Sequence, residues 1–260
     1  MDDVDQAPAD PAEPFRLHGP RPDAVLLVHG FTSGPKSMRG WADHLAARGY
    51  TVSVPLLPGH GTRWQDLART PHTAWSRAVA GEFDVLQRNH RFVFVCGLSM
   101  GGALALQLAA GRSVAGLALV NPGLTFGDRT AHLAPVLKYA LASVPAIAND
   151  IALPGQDEGA YPRTPVAAVH QLGLLFRAAR SGLGRVSAPV AVFRSAVDHV
   201  VPDSSIAVLR AGLPRPPRVD VLASSYHVAT LDYDAEAAFA RTAAFFDGLA
   251  GAPRPAGAPA

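Results

Sequence analysis

The feature that most constrains the fold is the segment over residues 92–102, FVFVCGLSMGG. Its first five residues are apolar, β-branched or aromatic, which is typical of a buried strand. A helical pattern rich in leucine and alanine follows its last glycine. Between them, Gly97, Ser99 and Gly101 have the G-x-S-x-G spacing of a tight turn that exposes a serine at the end of a strand. An ordinary strand–turn–helix connection is the alternative, because so short a pattern also occurs by chance.

Buried strands and amphipathic helices alternate along most of the chain. Continuous apolar runs such as residues 24–29 predict strands that are covered on both faces. The alternation predicts an α/β fold with a mostly parallel sheet flanked by helices over residues 15–250. A chain of 260 residues that is 48% hydrophobic can bury one core of that size. Strands are expected over residues 15–18, 24–29, 50–54, 92–96, 114–120, 189–194 and 218–222. Helices are expected over residues 38–48, 73–88, 99–110, 204–211 and 235–249.

The alternation lapses between about residues 123 and 185. Two helical patterns lie in this interval, over residues 133–144 and 165–179, with a polar, turn-rich stretch between them. An insertion after the carboxyl end of a strand would sit over the active edge of the sheet, so we expect a small helical cap. Residues 1–14 are acidic and proline-rich and residues 251–260 are rich in Pro, Ala and Gly, which predicts a disordered tail at each end.

Composition excludes several classes of function. The net charge is only +2, and the basic residues are scattered, which argues against nucleic-acid binding. Lys36 and Lys138 are the only lysines, so no lysine-rich patch exists for anionic membranes. Cys96 is the only cysteine and is read as a buried small hydrophobe. No apolar run is long enough to cross a bilayer and the amino-terminal residues are acidic, so a soluble, cytoplasmic protein is expected.

Three residues have the chain order of a serine-dependent catalytic triad. A serine hydroxyl needs a base, and the base needs a third group that fixes its tautomer. Ser99, Asp198 and His227 follow one another in the order that accompanies this type of serine turn, each just after a predicted strand. Asp198 could also be a turn or helix-cap aspartate, and Asp203 is the competing acid, although its place after a proline suggests a helix N-cap. His199 adjoins Asp198 and should point elsewhere.

An oxyanion intermediate would need two backbone N–H donors aimed at it. The residue after the nucleophile, Met100, is expected to supply one, and Phe31 in the loop after the first buried strand is expected to supply the other. The alternative for the Phe31 side chain is a simple core aromatic, which would leave its backbone free to donate. No metal-ligand spacing is present, and neither a metal nor an organic cofactor is predicted.

Five motifs carry a family resemblance: residues 29–31 (HGF), 59–61 (GHG), 97–102 (GLSMGG), 198–202 (DHVVP) and 225–234 (SYHVATLDYD). Together they resemble the α/β-hydrolase superfamily, and within it the bacterial carboxylesterases and monoacylglycerol lipases, from about residue 24 to residue 249. The resemblance implies the α/β-hydrolase fold and cofactor-free hydrolysis of acyl esters, including monoacylglycerols. It also implies that Glu158 in the cap contacts the glycerol hydroxyls. Gly159 and Pro162 depart from the family pattern there, and a solvated carboxylate is the alternative.

Other functions remain open at this level, since the fold alone does not set the reaction. Ser99 argues against the epoxide hydrolases and dehalogenases of the superfamily, which use an aspartate nucleophile. Carbon–carbon bond hydrolases, thioesterases, acyltransferases and generic carboxylesterases keep the serine triad. A ligand-binding protein with little turnover is the non-enzymatic alternative. The expected partners are a small ester substrate and, transiently through the cap, a lipid surface.

Overall fold

The buried apolar runs of the sequence form the middle of a seven-stranded sheet. A computed structural model describes residues 13–251, and all structural statements below concern this range. The strands are β1 (Phe15–Leu17), β2 (Asp23–Val28), β3 (Thr51–Val54), β4 (Phe92–Leu98), β5 (Leu117–Val120), β6 (Ser143–Pro145), β7 (Arg163–Pro165), β8 (Val190–Ser195) and β9 (Arg218–Leu222). The helices are α1 (Arg39–Ala47), α2 (Trp64–Arg69), α3 (His72–Asn89), α4 (Met100–Ala109), α5 (Ala134–Leu137), α6 (Val166–Gly182), α7 (Ser204–Gly212) and α8 (Ala235–Gly251).

The strand order in the main sheet is β1-β3-β2-β4-β5-β8-β9. All neighbouring strands pair in parallel except β1, which is antiparallel to β3 at the edge. The loops after β4, β5, β8 and β9 therefore leave from the same edge of the sheet. In open α/β sheets this carboxyl edge is where ligands bind.

Helices cover both faces of the sheet, as the sequence predicts. Successive residues of β2 alternate between two cores, with Leu26 in one and Val25 in the other. The first core is completed by residues of α3, α4, α6 and α7, and the second by residues of α1 and α8, including the stacked pair of Trp41 and Phe239. Cys96 is fully buried in the second core, and burial raises the pKa of its thiol well above the ordinary value. Both observations confirm its interpretation as a small hydrophobe.

Most predicted elements are present within a few residues of their expected bounds, and the 218–222 strand matches residue for residue. The helix α2 was not predicted. The predicted helix over residues 133–144 is wrong: α5 ends at Leu137, and Ser143–Pro145 forms β6, which pairs antiparallel with β7. The apolar side chains of that pattern face outward, with Val136 72% and Tyr139 85% exposed, so no buried face existed to sustain a longer helix.

The segment between β5 and β8 contains α5, the β6–β7 pair and α6. Of these, α6 packs against α4, the helix that follows Ser99. The predicted tails over residues 1–14 and 251–260 lie outside the described residues, apart from residues 13 and 14 and Gly251, which is the last residue of α8. Within residues 13–251, no helix combines the length and apolar character needed to cross a membrane.

Candidate active site

Ser99 occupies a strained turn between β4 and α4. Its backbone has φ 55° and ψ −114°, a conformation that non-glycine residues rarely adopt and that concentrates at functional sites. A Cβ on Gly97 would lie 2.5 Å from the backbone of Gly101, and one on Gly101 would lie 2.0 Å from the carbonyl oxygen of Val28. The flanking glycines are therefore required by close backbone contacts, and the alternative of an ordinary connection does not account for this geometry.

Ser99 and His227 line the same cavity, which has a volume of about 430 Å³. We call it the Ser99 cavity. Much of its remaining wall is apolar, including Phe126, Leu172 and Phe176. In the described chain no hydrogen bond joins Ser99 Oγ to the imidazole of His227, and hydrogen bonds of this kind often tighten only when substrate is bound. The structure thus brings the two side chains to one site, as the sequence predicts.

The imidazole of His227 contacts Asp198 on its other side. Nδ1 of His227 lies 3.1 Å from the carboxylate of Asp198, whose side chain is fully buried. The same carboxylate accepts hydrogen bonds from the N–H groups of Val200 and Val201 at 2.9 and 2.8 Å. Burial alone would raise the pKa of Asp198, but the hydrogen bond and charge of His227 and these amides outweigh it and lower the pKa. An ionised Asp198 keeps the proton of His227 on Nδ1 and leaves Nε2 free to act as a base.

The two rival residues named from the sequence lie elsewhere. The side chain of Asp203 is 96% exposed and pairs with Arg194, and the residue is the N-cap of α7 without a side-chain capping bond. The imidazole of His199 pairs with Asp150 at 2.7 Å rather than with Asp198. Asp198 is therefore the carboxylate that contacts His227.

Two backbone segments converge on Ser99. Met100 is the first residue of α4, where an N–H has no acceptor inside the helix. A Cβ built on Gly30 would lie 3.7 Å from Cβ of Ser99, so the loop that carries Phe31 runs directly beside the serine. Phe31 itself lines the Ser99 cavity. This arrangement is compatible with the predicted pair of oxyanion donors, Phe31 N–H and Met100 N–H.

Two buried histidines support this loop. His29 accepts a hydrogen bond from Leu57 N–H on Nε2 and donates from Nδ1 to the Gly30 carbonyl. Burial lowers the pKa of His29 to about 4, although the Gly30 carbonyl opposes this shift. Burial and the neighbouring His29 lower the pKa of His60 to about 3. Both rings are neutral at physiological pH. They connect two loops and have no catalytic contact with Ser99.

Glu158 lies in the wall of the Ser99 cavity and is only 7% exposed. The solvated-carboxylate alternative is therefore wrong. Its Oε1 accepts a hydrogen bond from Asn149 N–H at 2.9 Å, and Ser33 donates to its backbone carbonyl. Burial raises the pKa of Glu158, although the Asn149 amide and the nearby His227 oppose the shift. Gly159, which departs from the family pattern, has φ 70°, a left-handed conformation that glycine adopts without strain.

Three polar residues that hold the His227 loop were not identified from the sequence. Asn121 donates from Nδ2 to the His227 carbonyl at 2.8 Å and accepts from Ser195 N–H at 2.9 Å. Asp150 accepts from His227 N–H at 3.2 Å, and Asp232 accepts from four backbone N–H groups. Asn121 follows β5 directly, so its position at the carboxyl edge was the available signal. Asp232 lies within the 225–234 motif, but its burial could not be read from the pattern.

Three features of this structure together define the α/β-hydrolase class. They are a mostly parallel sheet with helices on both faces, a serine at the turn after a central strand, and a histidine–aspartate pair beyond neighbouring strand ends. Comparison with known sequences agrees. A profile of the alpha/beta hydrolase family matches residues 25–254, and the chain belongs to this family. It is 38% identical over 247 residues to a thermostable monoacylglycerol lipase of Bacillus sp. (strain H-257), with 92% of this chain and 96% of the relative covered. It is 25% identical to a carboxylesterase of Bacillus subtilis (strain 168), over 76% of this chain and 80% of the relative.

Solved structures give the same family placement. A structure from work on LipS and LipT, two metagenome-derived lipolytic enzymes, superposes with a TM-score of 0.87 at 35% identity, covering 91% of this chain and 98% of the other. The monoacylglycerol lipase of Paleococcus ferrophilus superposes with a TM-score of 0.75 at 18% identity, covering 91% and 99% of the two chains, and shows the fold alone. The expected α/β-hydrolase fold is thereby confirmed.

Proposed function

We propose that this chain hydrolyses carboxylic esters, and that its preferred substrates are monoacylglycerols, which it cleaves to fatty acid and glycerol through an acyl-enzyme on Ser99. One observation carries the proposal: a strained serine and an imidazole paired with a buried carboxylate line one largely apolar cavity. The similarity to a monoacylglycerol lipase supports the choice of substrate. Small-molecule pockets of this kind hold an apolar ligand with a few polar anchors.

The proposed mechanism follows from the roles of the three side chains. His227 accepts the proton of the Ser99 hydroxyl while Oγ attacks the ester carbonyl. The N–H groups of Phe31 and Met100 stabilise the oxyanion that forms, and each donor contributes about a hundredfold or more in rate. His227 then returns the proton to the leaving alcohol, and water releases the fatty acid by the same route. Asp198 stays ionised and stabilises the imidazolium.

The cavity also offers a separate place for each half of the substrate. The acyl chain contacts the apolar side chains of Phe126, Leu172 and Phe176. The glycerol hydroxyls contact Glu158, whose carboxylate keeps acceptor capacity beyond its bond to Asn149. Loss of that contact removes binding of the alcohol half while the three triad residues themselves are unchanged. Glu158→Gln is therefore expected to weaken hydrolysis of monoacylglycerols more than hydrolysis of p-nitrophenyl esters.

The test compares initial rates of the wild-type protein on 1- and 2-monoacylglycerols and on a chain-length series of p-nitrophenyl esters. Ser99→Ala is expected to lower kcat by at least about 10⁴-fold on every ester while the fold is kept. A fluorophosphonate probe should label the wild-type protein and not this variant. Substantial turnover by Ser99→Ala contradicts the mechanism, and absent labelling with absent turnover favours a ligand-binding protein. A preference for p-nitrophenyl esters over every monoacylglycerol would make it a general carboxylesterase.

We also propose that the enzyme is cytoplasmic and meets lipid surfaces transiently through its cap. Seven large hydrophobic side chains in the interval between β5 and β7 are exposed: Leu133, Val136, Leu137, Tyr139, Leu141, Val144 and Ile147. Exposed apolar side chains concentrated in one segment of the chain support an interaction surface there. Replacement of Val136 and Tyr139 by serine should reduce cosedimentation with neutral phospholipid vesicles. Hydrolysis of a soluble p-nitrophenyl ester should stay at the wild-type rate.

A further inference from the structure

A second cavity lies next to the Ser99 cavity, under α6. It has a volume of about 320 Å³, and its lining includes His132, His170, Arg177 and Arg180 but no acidic side chain. We call it the basic cavity. Thr125, Phe126, Ala131, Val169 and Phe176 line both cavities and form their common wall. The two cavities are therefore adjacent compartments, separated by a few side chains.

The largest residues of the common wall are Phe126 and Phe176, and side chains can move more readily than backbone. Phe126 is half-buried and packs against Phe176 with the ring centres 5.1 Å apart. On its other side the ring contacts His132 edge-on at 5.8 Å. The half-buried Phe126 ring therefore stands between the two compartments, and side-chain rotations are among the fast motions of a protein.

The two cavities have opposite electrostatic character. Asp128, Asp150 and Glu158 line the Ser99 cavity, and no lysine or arginine does. Ester hydrolysis converts a neutral substrate into a fatty-acid anion inside this acid-lined compartment. The anion is repelled there and attracted by the arginines of the neighbouring one, so the charge distribution favours its transfer across the wall.

We propose that the basic cavity is a second ligand site, which binds the carboxylate of the released fatty acid while its chain lies against the Phe126 wall. This inference rests on the proposed function, because a fatty-acid anion must first be formed at Ser99. It assigns the product a separate way out and leaves the Ser99 cavity free for the next ester.

Arg177 is the side chain best placed to hold the carboxylate. It is exposed, and within residues 13–251 its guanidinium forms no hydrogen bond or ion pair. Arg180, in contrast, already donates to the carbonyl oxygen of Leu124 at 2.5 Å. Nζ of Lys138 donates a hydrogen bond to Nδ1 of His170 at 3.1 Å. Burial lowers the pKa of His170, and the positive charges of Lys138 and Arg177 lower it further. A neutral His170 accepts on Nδ1 and keeps an N–H donor on Nε2 for an anion.

The test measures decanoate binding by calorimetry in the Ser99→Ala background, where no ester chemistry intervenes. Arg177→Gln is expected to weaken decanoate binding about twofold to fivefold, as for a partly exposed ion pair. Arg177→Lys should restore most of the affinity because it keeps the charge. Arg241→Gln, which removes an exposed charge on α8, is the matched control and should change nothing. Decanol, which lacks the charge, should bind all variants equally.

With Ser99 intact and no ester present, Arg177→Gln should weaken decanoate binding by the same factor, measured by calorimetry. Unchanged decanoate affinity in Arg177→Gln, or an equal loss for decanol, overturns the inference. A substrate whose acyl chain ends in a second carboxylate would present the same group to the basic cavity. If Arg177→Gln instead slows only the hydrolysis of half-esters of sebacic acid, the basic cavity binds that substrate, and its role as a product site is overturned. Absence of ester hydrolysis by the wild-type protein would contradict the proposed function, while the binding result would still stand.

Discussion

Arg194 and His227 share one carboxylate oxygen. Oδ2 of Asp198 accepts a hydrogen bond from Nη1 of Arg194 at 2.5 Å and lies 3.1 Å from Nδ1 of His227. The side chain of Arg194 is only 11% exposed, and its Nε is buried without a hydrogen-bond partner. A nearly buried positive charge thus competes with the imidazolium for the negative charge that should stabilise it.

The first prediction concerns this ion pair. Arg194→Met should destabilise the protein by about 3–5 kcal/mol, because it removes the charged partner of the fully buried Asp198 carboxylate. The measurement is urea unfolding. Asp203→Asn, which removes the exposed second partner of Arg194, is the control and should stay within about 1 kcal/mol of the wild-type stability. An Arg194→Met protein as stable as the wild type would show that the pair does not hold Asp198 in place.

The second prediction concerns the turn at Ser99. Gly101→Ala should destabilise the protein by about 3 kcal/mol or more, because its Cβ would meet the Val28 carbonyl oxygen at 2.0 Å. Gly81→Ala is the matched control: this exposed position in α3 has no atom within 4 Å of a new Cβ. There alanine should add about 0.5–1 kcal/mol of stability. Urea unfolding measures both, and a similar stability of the two variants would contradict the close-contact argument.

The third prediction concerns Glu158 and pH. A carboxyl group whose pKa is raised by folding stabilises the native state below its unfolded pKa, and that contribution is lost as the pH rises through the folded value. Glu158→Gln should therefore gain stability relative to the wild-type protein between pH 4 and pH 7. Hydrogen bonds lower the pKa of Asp157, so the stability of Asp157→Asn relative to the wild-type protein should fall as the pH rises. Thermal unfolding at several pH values checks both signs.

The fourth prediction concerns Asn121, which joins the ends of three strands. Asn121→Ala leaves the buried N–H of Ser195 and the carbonyl of His227 without their partner, at a cost of about 1–3 kcal/mol for each unsatisfied group. Because the His227 loop is held by these bonds, kcat should fall as well. Asn89→Ala, at an exposed helix end, should stay within about 0.5 kcal/mol of the wild-type stability. A stable and fully active Asn121→Ala protein would mean that the loop is held by its other contacts.

Local patterns were enough to predict most of the fold. Hydrophobic runs located the central strands, because a strand covered on both faces must be apolar throughout. The 133–144 segment misled this reading, since most of its large apolar side chains are exposed instead of forming a buried helix face. Hydrophobic periodicity indicates that a segment has an apolar face, but it does not tell whether that face packs against the core of the protein or stays exposed.

The sequence by itself determined the seven strands of the main sheet, the turn at Ser99, and the choice of Asp198 and His227, because each depends on an apolar run, on a short spacing or on the end of a buried strand. Only the tertiary structure decided what surrounds these groups. The Arg194–Asp198 pair, the burial of Glu158, the bonds of Asn121 and the basic cavity all depend on side chains from segments far apart in the chain. Their distances follow from how the segment between β5 and β8 and the loops pack near the carboxyl edge of the sheet, and this packing has no local sequence period that could reveal it.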